Sequence, residues 1–227
     1  MTLLGAFARY HRYRVEGLEH VPRRGAALLV SFHSYSVIDA LLLGRAIYLR
    51  DGRVARGLTD KLVFRVPGLR DVATSLGIVA GTPDNGLGLL RNGELAGCMP
   101  GGALEWSRPA RLRGTMRWGE HRGYARLAIC AGVPIIATAC PAADRAFFVP
   151  FDGWTVGERL QRWVGASRAL PVALGFGFGP LPLPVRLVQH VAPPIVFDLP
   201  PEAADDDDEV RRLDLRVRRT IGDLLAR

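Results

Sequence analysis

The sequence predicts a single α/β domain built on a mixed, mostly parallel sheet flanked by helices, and three observations carry that prediction. Ala26 to Phe32 is a short apolar run of strand-compatible residues, and Val37 to Leu43, which follows a turn, reads as helix. Tyr124, Leu127, Ala128 and Ala131 recur at helical spacing and lead past Gly132 into the apolar run Val133 to Ala137, so helix and strand alternate as in α/β folds. No repeat, low-complexity linker or composition shift marks a boundary, and 227 residues suffice for one domain with a full core.

Taken in order, residues 1–14 mix Leu, Phe and Tyr with Arg9, Arg12 and Arg14. That pattern suits a bilayer headgroup boundary or plain docking on the domain, so 1–14 is set apart as a candidate interfacial segment ahead of a domain at 15–227. Tyr13 to Leu18 reads as a strand, His20 to Gly25 as a turn, and Ala26 to His33 as a second strand. The first long helix extends to about Leu49 and breaks at Asp51-Gly52. Leu58 to Val66 is mixed, Pro67-Gly68 signals a turn, Leu69 to Leu76 a short helix and Ile78 to Ala80 a strand. Asp84-Asn85 offers an N-cap to a helix carrying Leu87, Leu90 and Leu95, after which Cys98-Met99 is a brief buried strand. It empties into Pro100-Gly101-Gly102-Ala103-Leu104-Glu105 and then a basic loop with Arg108, Arg111, Arg113 and Arg117.

After Val133 to Ala137, Arg145 to Trp154 is an aromatic loop whose Phe147, Phe148, Phe151 and Trp154 suit an acyl tunnel, a wedge into lipid or a core plug. Arg159 to Val164 reads as a short amphipathic helix, Ala169 to Val185 as irregular and Arg186 to Val191 as a strand. The tail opens a helix at Asp205 to Glu209, with Val210, Leu213, Val217, Ile221 and Leu224 on one stripe, the pattern of a helix docked on the sheet.

Composition narrows the partners. Of 30 lysine and arginine residues only Lys61 is a lysine, and the net charge is +8. An arginine-rich surface suits phosphates, whether of nucleic acid, anionic lipid or a phosphorylated ligand. With 48% hydrophobic residues and no helix-turn-helix or RNA-binding signature, a membrane surface fits better than nucleic acid, which is not expected as a partner. The longest uncharged stretches fall short of the ~20 residues of a membrane span. The N-terminus is apolar only up to Arg9, too short for a secretory leader. Cys98, Cys130 and Cys140 lack C-x-x-C spacing, so neither a disulfide framework nor a metal site is expected, and a reducing, cytoplasmic setting fits.

The chemistry concentrates at His33 and Asp39. The strand delivers His33 to a turn at its carboxyl end, where open α/β sheets bind ligands. Ser36 and Asp39 spell the S-x-x-D of a capping box, so the pair has two readings: a core histidine with a capping aspartate, or a catalytic pair. Residues six apart on one helix point away from each other, so a His33–Asp39 contact requires the turn to fold back. At a helix N-terminus Asp39 would stay ionised, fix one His33 tautomer and stabilise the imidazolium. Gly101 and Gly102 after a strand make either an anion or oxyanion site or a tight turn. No G-x-S-x-G elbow appears and none of the cysteines lies by a recognisable partner, which disfavours a serine or thiol hydrolase.

Taken together and in order, five stretches resemble the glycerolipid acyltransferase superfamily, the lysophospholipid acyltransferase-like enzymes, and in particular its diacylglycerol-acyltransferase-like branch. They are Val15 to Pro22, the His33/Asp39 motif, Gly77 to Gly81 with the helix ending Asn92-Gly93-Glu94-Leu95, Pro100 to Glu105, and Gly132 to Ile136. The resemblance implies transfer of a fatty acyl group from acyl-CoA, a substrate rather than a cofactor, to a glycerolipid hydroxyl at the cytoplasmic face of a membrane, peripherally bound. It implies His33, in the His33/Asp39 motif, as general base; the loop with Gly101, Gly102 and Glu105 is then the candidate oxyanion or acceptor loop, and Arg108, Arg111 and Arg113, just beyond it, are either a solvated face or candidate ligands for the acyl-CoA phosphates. The motif is His-x5-Asp, where most of the superfamily has His-x4-Asp. The arginines of the phosphate-acceptor enzymes fall, by register, at Leu104 and Pro83. That implies an uncharged acceptor, a mono- or diacylglycerol or a long-chain alcohol. The alternatives are a lysophosphatidate acyltransferase and a non-catalytic lipid or acyl-CoA binder of the same fold.

Overall fold

The computed structural model describes residues 2–149 and 181–227. Within them, β1 (Arg14–Glu16), β2 (Ala27–Ser31), β3 (Ala55–Thr59), β4 (Val79–Ala80), β5 (Leu95–Cys98), β6 (Ile135–Ala139) and β7 (Val188–Val191) form one sheet in the order β1-β7-β6-β2-β5-β3-β4. β6 and β7 pair antiparallel and every other neighbouring pair is parallel. The expected single α/β domain with a mixed, mostly parallel sheet is therefore the fold.

β2 is the middle strand and is buried at all five positions. Its side chains alternate between two cores, as a pleated strand covered on both faces requires. Leu28, Val30 and Phe32 join α6 (Gly123–Ala131) and the C-terminal helix (Asp207–Leu225), while Ala27 and Leu29 meet Leu43 and Ile47 of α2 (Ile38–Asp51). The C-terminal stripe Val210, Leu213, Val217, Ile221 and Leu224 is buried as its spacing required. Asp206 caps that helix, accepting from Asp208 and Glu209 N–H. Gly52, at φ 74°, ends α2 in the left-handed conformation that glycine adopts without strain.

α1 (Thr2–Tyr10) packs on α2, with Leu4, Phe7 and Ala8 set against the buried cluster of Leu42, Cys140, Ala143 and Leu187, while Leu3 stays exposed.

Elsewhere the boundaries differ from the sequence reading. β3 runs into the stretch Leu58 to Val66 that reads as mixed, and a 3-10 turn at Lys61–Arg65 occupies most of the rest. All five β3 positions are only partly buried, so the alternation that marks a strand is missing from Ala-Arg-Gly-Leu-Thr. α3 is Leu69–Ser75. α4 (Pro83–Arg91) is capped two residues earlier than expected, by Thr82, whose hydroxyl accepts from Asn85 N–H at 3.1 Å. Leu95 lies on β5 rather than on that helix. The segment after β5, expected as an anion-binding loop or a tight turn, contains a short helix, α5 (Gly102–Trp106). Phe151, Trp154, the helix expected over Arg159 to Val164 and most of the Ala169 to Val185 run lie outside the described residues. Among the described residues no helix is long and apolar enough to cross a membrane.

Candidate active site

Because β2, β3, β4, β5 and β6 run parallel, their carboxyl ends share one edge of the sheet. Onto that edge come His33 after β2, the Gly101-Gly102 loop after β5 and Asp144 after β6. His33 sits two residues past the end of β2, partly exposed. Its Nδ1 lies 2.7 Å from the carbonyl oxygen of Ser34. A carbonyl only accepts, so Nδ1 carries the proton of the neutral ring and Nε2 keeps its lone pair. Burial lowers the His33 pKa from the ordinary imidazole value. The Ser34 carbonyl opposes that shift, and the Arg108 guanidinium adds to it. Burial thus favours the neutral ring, and the Ser34 carbonyl fixes the tautomer that can take a proton at Nε2.

Asp39 is placed differently from the sequence expectation. No hydrogen bond or ion pair joins it to His33 among the described residues. Instead its Oδ1 accepts from the Ser34 hydroxyl at 2.9 Å, so Asp39 reaches the histidine through Ser34. The capping box is not reciprocal either: Ser36 Oγ accepts from Ile38 N–H at 3.3 Å, while Ser36 N–H points to Ser34 Oγ at 3.4 Å. Nor does the helix terminus keep Asp39 a strong acid. At 2% exposure, burial pushes its pKa up to about 7, against the Ser34 hydroxyl and the amides of Asp39 and Ala40, which favour the carboxylate. Loss of hydration outweighs the partial charges of the helix end.

Glu105 has a resolved place. Its Oε2 accepts from His33 N–H and its Oε1 from Arg117 N–H, both at 2.9 Å, and it is fully buried. Burial raises its pKa, opposed by those two N–H bonds. Gly101 is glycine for reasons of space: a Cβ there would fall inside the Glu105 carboxylate. The Pro-Gly-Gly-x-x-Glu segment therefore folds so that its glutamate clamps the backbone of His33. Gly102 N–H is committed to the Met99 carbonyl at 3.0 Å, which leaves Gly101 as the loop amide to consider for an oxyanion.

Arg108, expected among the phosphate ligands, is instead fully buried and ion-paired with Asp144. It donates to the His33 carbonyl at 2.7 Å and to the Glu105 carbonyl at 2.5 Å, and lies over the rings of Phe32 and Tyr35 at 4.5 and 4.9 Å. A guanidinium so enclosed is a brace and cannot receive a soluble ligand. Asp144 also accepts from Tyr35 N–H at 3.1 Å and Gly114 N–H at 2.9 Å. Arg111 and Arg113 are exposed on the same strap; Arg113 donates to the Phe147 carbonyl at 3.1 Å. Sequence reasoning missed Ser34 and Asp144. Ser34 adjoins the histidine, and Asp144 is a lone acid in an apolar stretch beyond β6, but neither position declares its partner.

Other expectations resolve simply. Phe147 is buried with Tyr35, Ala146 and Val149, whereas Phe148 is 61% exposed. Burial pushes the Cys98 thiol up to about 12 and the Cys140 thiol higher still, far from the thiolate a nucleophile needs. An apolar cavity of about 300 Å³ opens beside the site, lined by Leu4 and Phe7 of α1, Val37, which just precedes α2, Ile38 and Leu41 of α2, and Phe147.

The site thus sets an oriented histidine at the carboxyl edge of a parallel sheet with an apolar cavity alongside. The family model for Acyltransferase matches residues 12–141, and the chain belongs to that family. It is similar to the human DGAT1/2-independent enzyme synthesizing storage lipids, 30% identical over 194 residues covering 86% of this chain and 57% of that protein. The Gallus gallus enzyme of the same name is 34% identical over 189 residues, 83% of this chain and 54% of that one. An uncharacterized protein of Mycobacterium tuberculosis is 26% identical over 229 residues, 97% of this chain and 63% of that protein. The chain thus spans a little over half the length of these relatives. In fold it is similar to the 1-acyl-sn-glycerophosphate (LPA) acyltransferase PlsC from Thermotoga maritima, with TM-score 0.55 and 16% identity over 99% of this chain and 81% of that one.

Proposed function

We propose that this glycerolipid acyltransferase-family protein moves a fatty acyl group from acyl-CoA to the hydroxyl of an uncharged glycerolipid, a mono- or diacylglycerol or a long-chain alcohol, at the cytoplasmic face of a membrane. The observation that carries the reading is the His33 tautomer, with Nδ1–H held by the Ser34 carbonyl and Nε2 left as a base. Nε2 takes the acceptor hydroxyl proton as the oxygen attacks the thioester carbon. The tetrahedral oxyanion forms near the Gly101 amide, the C–S bond breaks, and His33 returns the proton to the departing thiolate. Glu105 and Arg108 hold the His33 backbone, Asp144 holds Arg108 and the Tyr35 N–H, and Asp39 positions the loop through Ser34.

The uncharged acceptor is supported by Leu104 on α5 and Pro83 at the start of α4, neither of which has a side-chain donor for a phosphate. A site lacking both donors leaves an acceptor phosphate unpaired, at a cost of several kcal/mol. The storage-lipid enzymes among the relatives point the same way. Arg111 and Arg113, exposed beyond the glycine loop, are the cations set to meet the acyl-CoA phosphates, and the apolar cavity beside Ser36 suits an aliphatic chain.

Incubation with radiolabelled oleoyl-CoA and a panel of acceptors tests the reading. Transfer to mono- or diacylglycerol or to a long-chain alcohol is expected to exceed transfer to lysophosphatidate at matched surface concentration; the reverse order returns the protein to the phosphate-acceptor enzymes. His33→Ala is expected to lower kcat by about 10²–10⁴-fold with circular dichroism unchanged. Full activity in that variant removes His33 from the mechanism.

A further inference from the structure

Past the carboxyl end of β3, the Lys61–Arg65 turn and α3 keep four large apolar side chains in water. Leu62 is 60% exposed, Val66 46%, Leu69 53% and Val72 57%. Single exposed apolar residues are ordinary, but four on one short segment, interleaved with Lys61, Arg65 and Arg70, are not. The acids in the segment are already engaged: Asp60 accepts from Leu62 N–H at 2.9 Å, and Asp71 pairs with Arg70 at 3.3 Å. With Lys61, Arg65 and Arg70 against Asp60 and Asp71, the surface is greasy and keeps one positive charge in excess.

Its place in the fold gives it a direction. β3 runs parallel to β2 with β5 between them, so this segment leaves the sheet at the edge that carries His33, two strands or about 10 Å away. Val37, just after the His33 turn, and Phe148, beyond β6, are also exposed where the chain leaves this edge.

We infer that the carboxyl edge of the sheet docks on an anionic lipid bilayer, with the segment from Lys61 to Ser75 as its principal contact and Leu62, Val66, Leu69 and Val72 among the acyl chains. The inference rests on the acyltransferase reading, because a lipid acceptor then reaches His33 from the bilayer without crossing water. Apolar side chains alternating with cations match the boundary between acyl chains and anionic headgroups. A second copy of the chain fits less well, since a two-fold interface would set this cationic patch against itself.

Vesicle partition tests the assignment without turnover. The whole chain is sedimented with phosphatidylcholine vesicles with and without about 30% phosphatidylglycerol. Binding is expected to the anionic vesicles, and the combined variant Leu62→Gln, Val66→Gln, Leu69→Gln and Val72→Gln is expected to lower the partition coefficient by about 100-fold or more. A control variant, Tyr48→Gln, Leu49→Gln and Val54→Gln, removes exposed apolar side chains from the opposite edge and should bind as the parent does. Lys61, as the chain's single lysine, supplies a second readout. Amine-reactive labelling of its side chain, read by peptide mass, should slow on anionic vesicles and not on zwitterionic ones. Parent-like binding by the fourfold variant, no binding by the parent, or a parent dimer that this variant converts to monomer would each overturn the assignment. Vesicle binding through this patch by a chain that transfers no acyl group would sink the proposed function and leave the docking surface standing.

Discussion

Asp39 on α2 and Asp144 beyond β6 both brace the loop that carries His33, and both are withdrawn from water, at 2% and 1% exposure. They differ in what faces them. Asp144 meets the Arg108 guanidinium and two backbone N–H groups, whereas Asp39 meets the Ser34 hydroxyl and the amides of its own helix end. Asp144 has a full charge opposite it, while Asp39 has only dipoles, and burial raises the Asp39 pKa to about 7. The Asp144 side is thus an ionic brace, and the Asp39 side a hydrogen-bonded one whose charge depends on pH.

The largest effect expected from this difference follows removal of the ionic brace. Asp144→Ala leaves a guanidinium buried without its carboxylate and should cost about 3–5 kcal/mol in chemical denaturation, taking activity with it. A loss below about 1 kcal/mol, the value of an exposed pair, would show that water reaches Arg108 and erase the contrast.

For Asp39 the prediction concerns pH. Its folded pKa lies above the unfolded value, so the folded chain binds the proton more tightly, and the stability it contributes is fully present below pH ~4 and lost as pH rises to ~7. The total is roughly 4 kcal/mol. Asp39→Asn should flatten that part of the stability–pH curve, since an amide keeps the Ser34 bond and has no charge to bury. If the variant were as inactive as His33→Ala with its stability curve unchanged, the carboxylate charge itself would be what catalysis uses.

The clamp on the His33 backbone comes next. Glu105→Gln replaces one accepting oxygen by a donor, so one of the two N–H bonds from His33 and Arg117 is lost, at about 1–3 kcal/mol. Gly101→Ala forces the Glu105 carboxylate aside and should resemble it in size. A kcat loss with acceptor KM nearly unchanged would mark Glu105 as positioning the base; parent-like kcat in both variants would make it part of the core only. Smallest of all, Arg111→Gln with Arg113→Gln should raise the apparent KM for acyl-CoA several-fold, by loss of charge-assisted bonds, and leave the acceptor KM in place. An unchanged acyl-CoA KM would assign the strap a structural role.

Much of the framework was legible along the chain because its signals are local. The period of Val210 to Leu224 specified a docked helix, and the apolar runs ending at Phe32 and Ala137 specified buried strands. β3 was not legible, because Ala55 to Thr59 lies near the edge of the sheet and buries neither face fully. The start of α4 was misplaced because Asp84 and Asn85 are as good capping residues as Thr82, and only the backbone path chooses among them.

At the site, sequence alone determined that a histidine stands at the carboxyl end of a central strand and that a Pro-Gly-Gly-x-x-Glu segment follows another. Residue type and order fix both. Tertiary structure decided the partners. Asp39 is bound to Ser34 rather than to His33, Glu105 closes on the His33 amide 72 positions away, and Arg108 turns inward to Asp144 instead of outward to a phosphate. Hydrogen bonds and ion pairs join groups that the sheet brings together from distant strands. Burial then shifts the pKa values of His33, Asp39 and Glu105, and neither property is written in the spacing of residues along the chain.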